Sequence, residues 1–191
     1  MARWEPNARE RLIVAAVDLF TEQGYDETTV AQIADRAGVT RSTFFRHFPD
    51  KREVLVAGQE TLSRLLAEGI AEADDGATPL DAVAAGLRRA SQEMGAANRE
   101  LGPRLQAAVA ASAELQERDA MKSVGMAAAM QAALTARGIA EPAAHLAAEL
   151  GVLAFKMGFA RWIDGSDDDS DLAHHAVTVL QELRVTAATL G

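Results

Sequence analysis

The sequence predicts an all-α chain of about nine helices, and three observations carry that expectation. Ala, Leu and Val dominate a chain of 191 residues in which aromatics are 5% and prolines number 5, a composition that favours helix wherever packing does not decide otherwise. Apolar positions recur at helical spacing in one segment after another. The breaks between segments hold Gly, Pro, Asp and Thr, the residues that start and stop helices.

From Asn7 to Gln23 the apolar residues Leu12, Ile13, Ala16, Leu19 and Phe20 mark one helix face, with Gly24 behind them as a C-terminal stop. Thr28 and Thr29 are candidate caps for a short helix over Val30 to Arg36 that turns Ile33 and Ala34 inward and ends at Gly38. Thr40 caps a third helix from Arg41 to about His47, and "FPDK" breaks it before Asp50 caps a longer one from Lys51 to about Ala73. The polar stretch "DDGATP" (74–79) separates this part from helices expected over 80–97, 100–111, 112–137, 141–163 and 171–190.

The formal net charge is −9, yet the charge is unevenly spread. Residues 1–56 hold eight Lys/Arg and nine Asp/Glu, and the remainder carries −8. Within the first part, Arg36, Arg41, Arg46, Lys51 and Arg52 face Asp50 alone, a local +4. Such a balance contradicts a protein that coats nucleic acid over its whole surface, and an acidic body repels phosphate except where the cations are presented.

Cysteine is absent, which excludes disulfides, thiolate-ligated zinc and a cysteine nucleophile. The motifs of P-loop, dinucleotide-binding, nucleophile-elbow and zincin proteins are also missing. The charged start "MARWEPNARERL" lacks an apolar core, and no run approaches the ~18 apolar residues of a membrane span, so a cytoplasmic, non-enzymatic protein is expected, with no cofactor and no membrane partner. His174 and His175 beside Asp167, Asp168, Asp169 and Asp171 invite a metal reading. Adjacent helical side chains diverge by about 100°, and the Asp run lacks the Gly and Glu of a calcium loop, so no metal is expected there.

Two short helices joined by "AGVT" have the outline of a helix-turn-helix, with Gly38 supplying the turn. The second helix presents Arg41, Ser42 and Thr43, side chains suited to base edges, while Phe44 and Phe48, four apart, share the buried side. Arg46, His47 and Lys51 are placed to meet phosphates. Thr28, Thr29, Thr40 and Phe45 complete the candidate DNA-contacting set.

"TTVAQIADRAGVTRSTFFRHFPDKREVL" (28–55), preceded by "RERLIVAAVDLFTEQGYDE" (9–27), resembles the DNA-binding domain of the TetR family of bacterial transcriptional regulators. The resemblance implies a helix-turn-helix domain over 1–50, a linking helix over about 51–73, and a ligand-binding and dimerisation domain over 51–191. It also implies a homodimeric regulator on double-stranded, palindromic operator DNA, a repressor released by a small-molecule effector that is expected to be apolar or amphipathic, with an activator or dual regulator of the same fold, or a helical-bundle carrier or enzyme, as the alternatives. That family usually carries a tyrosine where this chain has Phe45, and the lost hydroxyl removes a phosphate contact.

In the C-terminal part, Ala144, Gly151 and Gly158 recur every seven residues, as do Ala148, Phe155 and Trp162. With Val177, Leu180 and Leu183 on the last helix they form the expected dimer seam, as the small residues allow close approach beside bulky anchors. Met94, Met121, Met126 and Met130 with Phe155 and Phe159 are the candidate ligand pocket, because adaptable thioethers accept varied apolar ligands.

Overall fold

A computed structural model describes residues 7–54, 58–165 and 171–190. Among them the chain forms nine α-helices and one 3-10 turn, with no strand. The helices are α1 (Ala8–Gln23), α2 (Val30–Arg36), α3 (Arg41–His47), α4 (Gln59–Ala71), α5 (Pro79–Ser91), α6 (Ala96–Ala110), α7 (Ala113–Ala136), α8 (Glu141–Asp164) and α9 (Leu172–Ala188). Caps account for many of the starts: the side chains of Asn7, Thr29, Thr40, Thr78 and Asp171 each accept a hydrogen bond from a backbone N–H of the first turn.

Two boundaries differ from expectation. No helix starts at Lys51: the Asp50 carboxylate accepts from the N–H groups of Arg52 and Glu53 and holds a single 3-10 turn at Arg52–Val54, and α4 begins only after Gly58. The helix after Pro79 stops at Ser91 rather than near Ala97, because the Asn98 side chain accepts from Gly95 N–H and opens α6.

The described residues divide into two compact units that do not follow the expected boundary near residue 50. One combines 1–57 with Leu101–Met121, and the other combines Gly58–Glu100 with Lys122 onward. The reason lies in packing, since Ala108 of α6 and Leu115 of α7 are buried in the same core as Leu12, Phe20, Tyr25, Ile33, Phe44 and Phe48.

In the second unit α4, α5, α8 and α9 pack together, with Met126, Met130 and Leu134 of α7 in the shared core. Arg137 donates to the carbonyls of Ala71, Ala73 and Asp74 and so satisfies acceptors at the end of α4. By length and composition α8 could cross a membrane, its best window having a mean hydropathy of 1.2, contrary to the sequence expectation. Part of that apolarity goes into the bundle core, where Ala144, Ala147, Ala148, Gly151, Val152, Ala154 and Phe155 are buried.

That burial corrects the dimer seam read from the sequence. Ala144, Ala148, Gly151, Phe155, Gly158, Trp162 and Leu180 all lie inside the unit, and Val177 and Leu183 are half-buried against the same core. The small residues do mark close approach, but to helices of the same chain. A Cβ on Gly151 would stand 2.8 Å from Val83 and 2.9 Å from the Met130 sulfur, and one on Gly158 only 2.5 Å from Ala176 Cα. The Arg161–Glu182 ion pair, bidentate at 2.9 and 2.8 Å, fixes the same α8–α9 register and holds the Glu182 carboxyl below its usual range. Gly158→Ala is therefore expected to destabilise the protein by about 1–3 kcal/mol, despite the better helix propensity of alanine. Gly95→Ala, with no atom within 4 Å of its Cβ, is the thermal-denaturation control expected to leave the melting temperature in place.

Candidate nucleic-acid interface

The turn between α2 and α3 is a Schellman motif: Val39 N–H donates to Ala34 O at 2.9 Å and Gly38 N–H to Asp35 O at 3.1 Å, with Gly38 at φ +67°. Only a residue without a Cβ takes that φ at little cost. Helix α3 is then seated by Phe44, fully buried, and Phe48, whose rings lie 5.7 Å apart. Seating that side leaves Arg41, Ser42, Phe45 and Arg46 exposed on the opposite face, with Thr43 and His47 half-buried at its edges. Thr40 is exposed, but its hydroxyl is held at the cap by Thr43 N–H.

What separates this face from the rest of the unit is the state of its cations. Arg36 forms a bidentate pair with Glu22 at 2.9 and 2.7 Å, which lowers the Glu22 carboxyl from its usual range. Arg52 pairs with Asp50 and Glu114, and the Arg52 hydrogen bond holds Asp50 low. Arg11 donates to Ala37 O, Arg104 pairs with Asp18, Arg118 pairs with Glu53, and Arg9 lies over the Phe48 ring. Among the described residues of this unit only Arg41 and Arg46 have no ion pair, hydrogen bond or ring partner, and both stand on α3.

Lys51 is not among the free cations. Its ammonium donates to the carbonyls of Tyr25 at 2.7 Å, Thr28 at 2.9 Å and Asp26 at 3.5 Å, and lies 4.0 Å from the centre of the Tyr25 ring. The expected phosphate ligand is thus a tie that closes the loop between α1 and α2. Thr28 is also removed from the contacting set, since it is buried, donates to Gly24 O and accepts from Gln23. Thr29 remains exposed, engaged in a reciprocal cap with Gln32.

Sequence reasoning missed the polar seam behind this face. Tyr25 donates its phenol hydrogen to Glu114 at 3.0 Å, and Glu114 also meets Arg52 at 3.4 Å. Burial first, and then the Glu114 hydrogen bond, push the Tyr25 phenol above its ordinary value, so it is a fixed donor at any physiological pH. Nothing in the spacing of Tyr25 and Glu114, 89 residues apart, signals the pair.

In the second unit the candidate pocket residues part company. Met126, Met130 and Phe155 are buried in the core and Met94 and Phe159 pack at its edge, whereas Met121 belongs to the first unit and is 55% exposed. An open groove of about 290 Å³ lies elsewhere, lined by Thr78, Pro79, Leu80, Ala143, Leu146, Ala147, Leu150 and Arg184. Beside it α8 carries a second apolar stripe, Leu146, Leu150, Leu153 and Met157, with Leu146 59%, Leu153 44% and Met157 38% exposed. Asp171 caps α9 through His174 N–H, whereas Asp167, Asp168 and Asp169 lie outside the described residues. Among the described residues no group of three or more His, Asp or Glu side chains could hold a metal ion.

Residues 12–57, which contain α1, the α2–α3 turn and the α3 face, match the model of the bacterial regulatory proteins of the tetR family. That segment belongs to the TetR family. The chain is 38% identical over 80 residues to the HTH-type transcriptional regulator TcmR of Streptomyces glaucescens, covering 42% of this chain and 35% of TcmR. It is 49% identical over 49 residues to SrpR of Pseudomonas putida, covering 26% and 23%. The matched stretches thus span about a third or less of these relatives. The likeness in fold extends beyond them: NalD of Pseudomonas aeruginosa, the secondary repressor of the MexAB-OprM multidrug efflux pump, superposes with a TM-score of 0.56 at 23% identity, over 92% of this chain and 94% of NalD.

Proposed function

We propose that this protein is a cytoplasmic transcriptional repressor that sits as a homodimer on a palindromic operator and leaves it when an apolar or amphipathic small molecule enters the C-terminal unit. The observation that carries the DNA-binding part is the disposal of cations: every other described Lys and Arg of the first unit is engaged within it, and the two free guanidiniums share the exposed face of the helix that follows the turn. In this reading α3 lies in the major groove, Arg41 with Ser42 and Thr43 addresses base edges, and Arg46 with His47 holds phosphate.

Dimerisation is supported by the second stripe on α8 rather than by the first. Leu146, Leu150, Leu153 and Met157 follow one another at intervals of four, three and four residues and lead into the apolar groove that Leu146 and Leu150 line. A second copy related by a two-fold axis would cover both. Release by ligand is supported by the way Met126 and Met130 fill the space between α7 and its neighbours. Thioethers re-pack readily, and a ligand among Met126, Met130, Phe155 and Phe159 shifts the protein between states by its differential affinity for them.

Arg41→Ala is expected to relax sequence preference at one base position, and Arg46→Ala to weaken all sequences alike and lower the salt dependence by about one unit per protomer. Gel shifts against the DNA flanking its own gene, run at several salt concentrations with and without small apolar compounds, test all of this. Absence of any sequence-dependent shift would overturn the DNA-binding reading, and a shift that no compound relieves would overturn the ligand switch alone.

A further inference from the structure

Phe45 is 51% exposed, and among the described residues every other phenylalanine, tyrosine and tryptophan is buried or half-buried. It stands in the middle of the free face of α3. Arg41 and Ser42 precede it by four and three residues, one helical turn away on the same side, and Arg46 flanks it. Its base is braced by Phe44, whose fully buried ring meets it nearly edge-on at 5.5 Å and 85°. The ring is therefore a fixed apolar platform between two unpaired guanidiniums, and those charges call for a polyanion over it.

A phenylalanine can neither donate to phosphate nor pair with a base edge, so the ring has only apolar surface to offer. In the major groove one group answers to that surface, the C5-methyl of thymine. We propose that Phe45 reads a thymine methyl in each operator half-site; this rests on the DNA-binding reading above. The helix rise of about 6 Å between Arg41 and Phe45, set against a base-pair rise of about 3.4 Å, places that thymine one or two base pairs from the base that Arg41 takes.

The test uses the full chain and a DNA sequence selected by it from a random pool. Each thymine of that sequence is replaced in turn by deoxyuridine, which deletes the methyl and nothing else. The expected result is one thymine per half-site at which deoxyuridine weakens the wild type, by about fourfold for a single buried methyl and about fifteenfold when both half-sites are changed. Phe45→Ala, at an exposed position and with its fold checked by circular dichroism, should bind the thymine and deoxyuridine forms equally, while Phe45→Tyr should keep the discrimination. If the wild type binds its selected DNA tightly and tolerates every deoxyuridine within twofold, the methyl reading is wrong and DNA binding stands. The methyl reading is equally wrong if Phe45→Ala discriminates as the wild type does. If selection returns no sequence, the DNA-binding reading itself fails and takes this one with it.

Discussion

A chain carrying Leu146→Glu and Leu153→Glu is expected to sediment as a folded monomer and to lose tight operator binding. Both leucines are already solvent-exposed within the chain, at 59% and 44%, so glutamate costs the monomer little. In a two-fold interface each substitution enters twice. Uncovering four leucines, each already about half-buried within its own chain, at half of about 1.5–3 kcal/mol apiece removes ~3–6 kcal/mol of apolar burial, and even the lower figure raises a dimer dissociation constant by about two orders of magnitude. Ala148→Glu is the informative contrast. Ala148 is fully buried against its own chain, so its replacement is expected to lower the melting temperature and abolish near-ultraviolet dichroism rather than yield a native monomer. Sedimentation velocity with thermal denaturation separates the two stripes, and a double variant that still sediments as a dimer would overturn the interface assigned to α8.

Lys51→Met is expected to destabilise the first unit by about 2–3 kcal/mol, because the ammonium makes charge-assisted hydrogen bonds to the carbonyls of Tyr25 and Thr28, and methionine removes both, leaving Tyr25 O with the Thr28 N–H at 3.2 Å. Whatever protein stays folded should bind DNA with the same salt dependence as the wild type. A lysine that touched phosphate would behave in the opposite way, leaving the melting temperature alone and lowering the slope by about one unit per protomer. Measuring both quantities on the same preparation decides the role of this side chain.

Lys51 also shows where sequence reading stops. Its chemistry was legible as a cation next to the recognition helix, but its partners are backbone carbonyls of Tyr25, Asp26 and Thr28, groups that every residue carries and no spacing advertises. Phe44 and Phe48 were legible because an i, i+4 aromatic pair has one place to go on a short helix. Gly38 was legible because the left-handed turn it makes is nearly closed to other residues. The stripe of Ala144, Gly151 and Gly158 was read correctly as close helix approach and assigned to the wrong partner. Period and residue size report how near two helices come, and say nothing about whose helix it is. Thr28 failed for a related reason, since a threonine beside a helix start serves equally as a cap, as its neighbour Thr29 does, or as an internal donor.

The first unit is not continuous in sequence, and this bears on how the protein comes into being. When residue 57 has left the ribosome, the helix-turn-helix is fully translated, but Ala108 and Leu115 of its core and the Glu114 that accepts from Tyr25 do not yet exist. At ~5–20 residues per second that gap lasts several seconds, during which the nascent segment exposes the apolar surface those residues later cover. A graft that moved residues 1–57 alone onto another helical body would make the gap permanent. A graft expected to keep this core intact carries both segments, 1–57 together with Leu101–Met121.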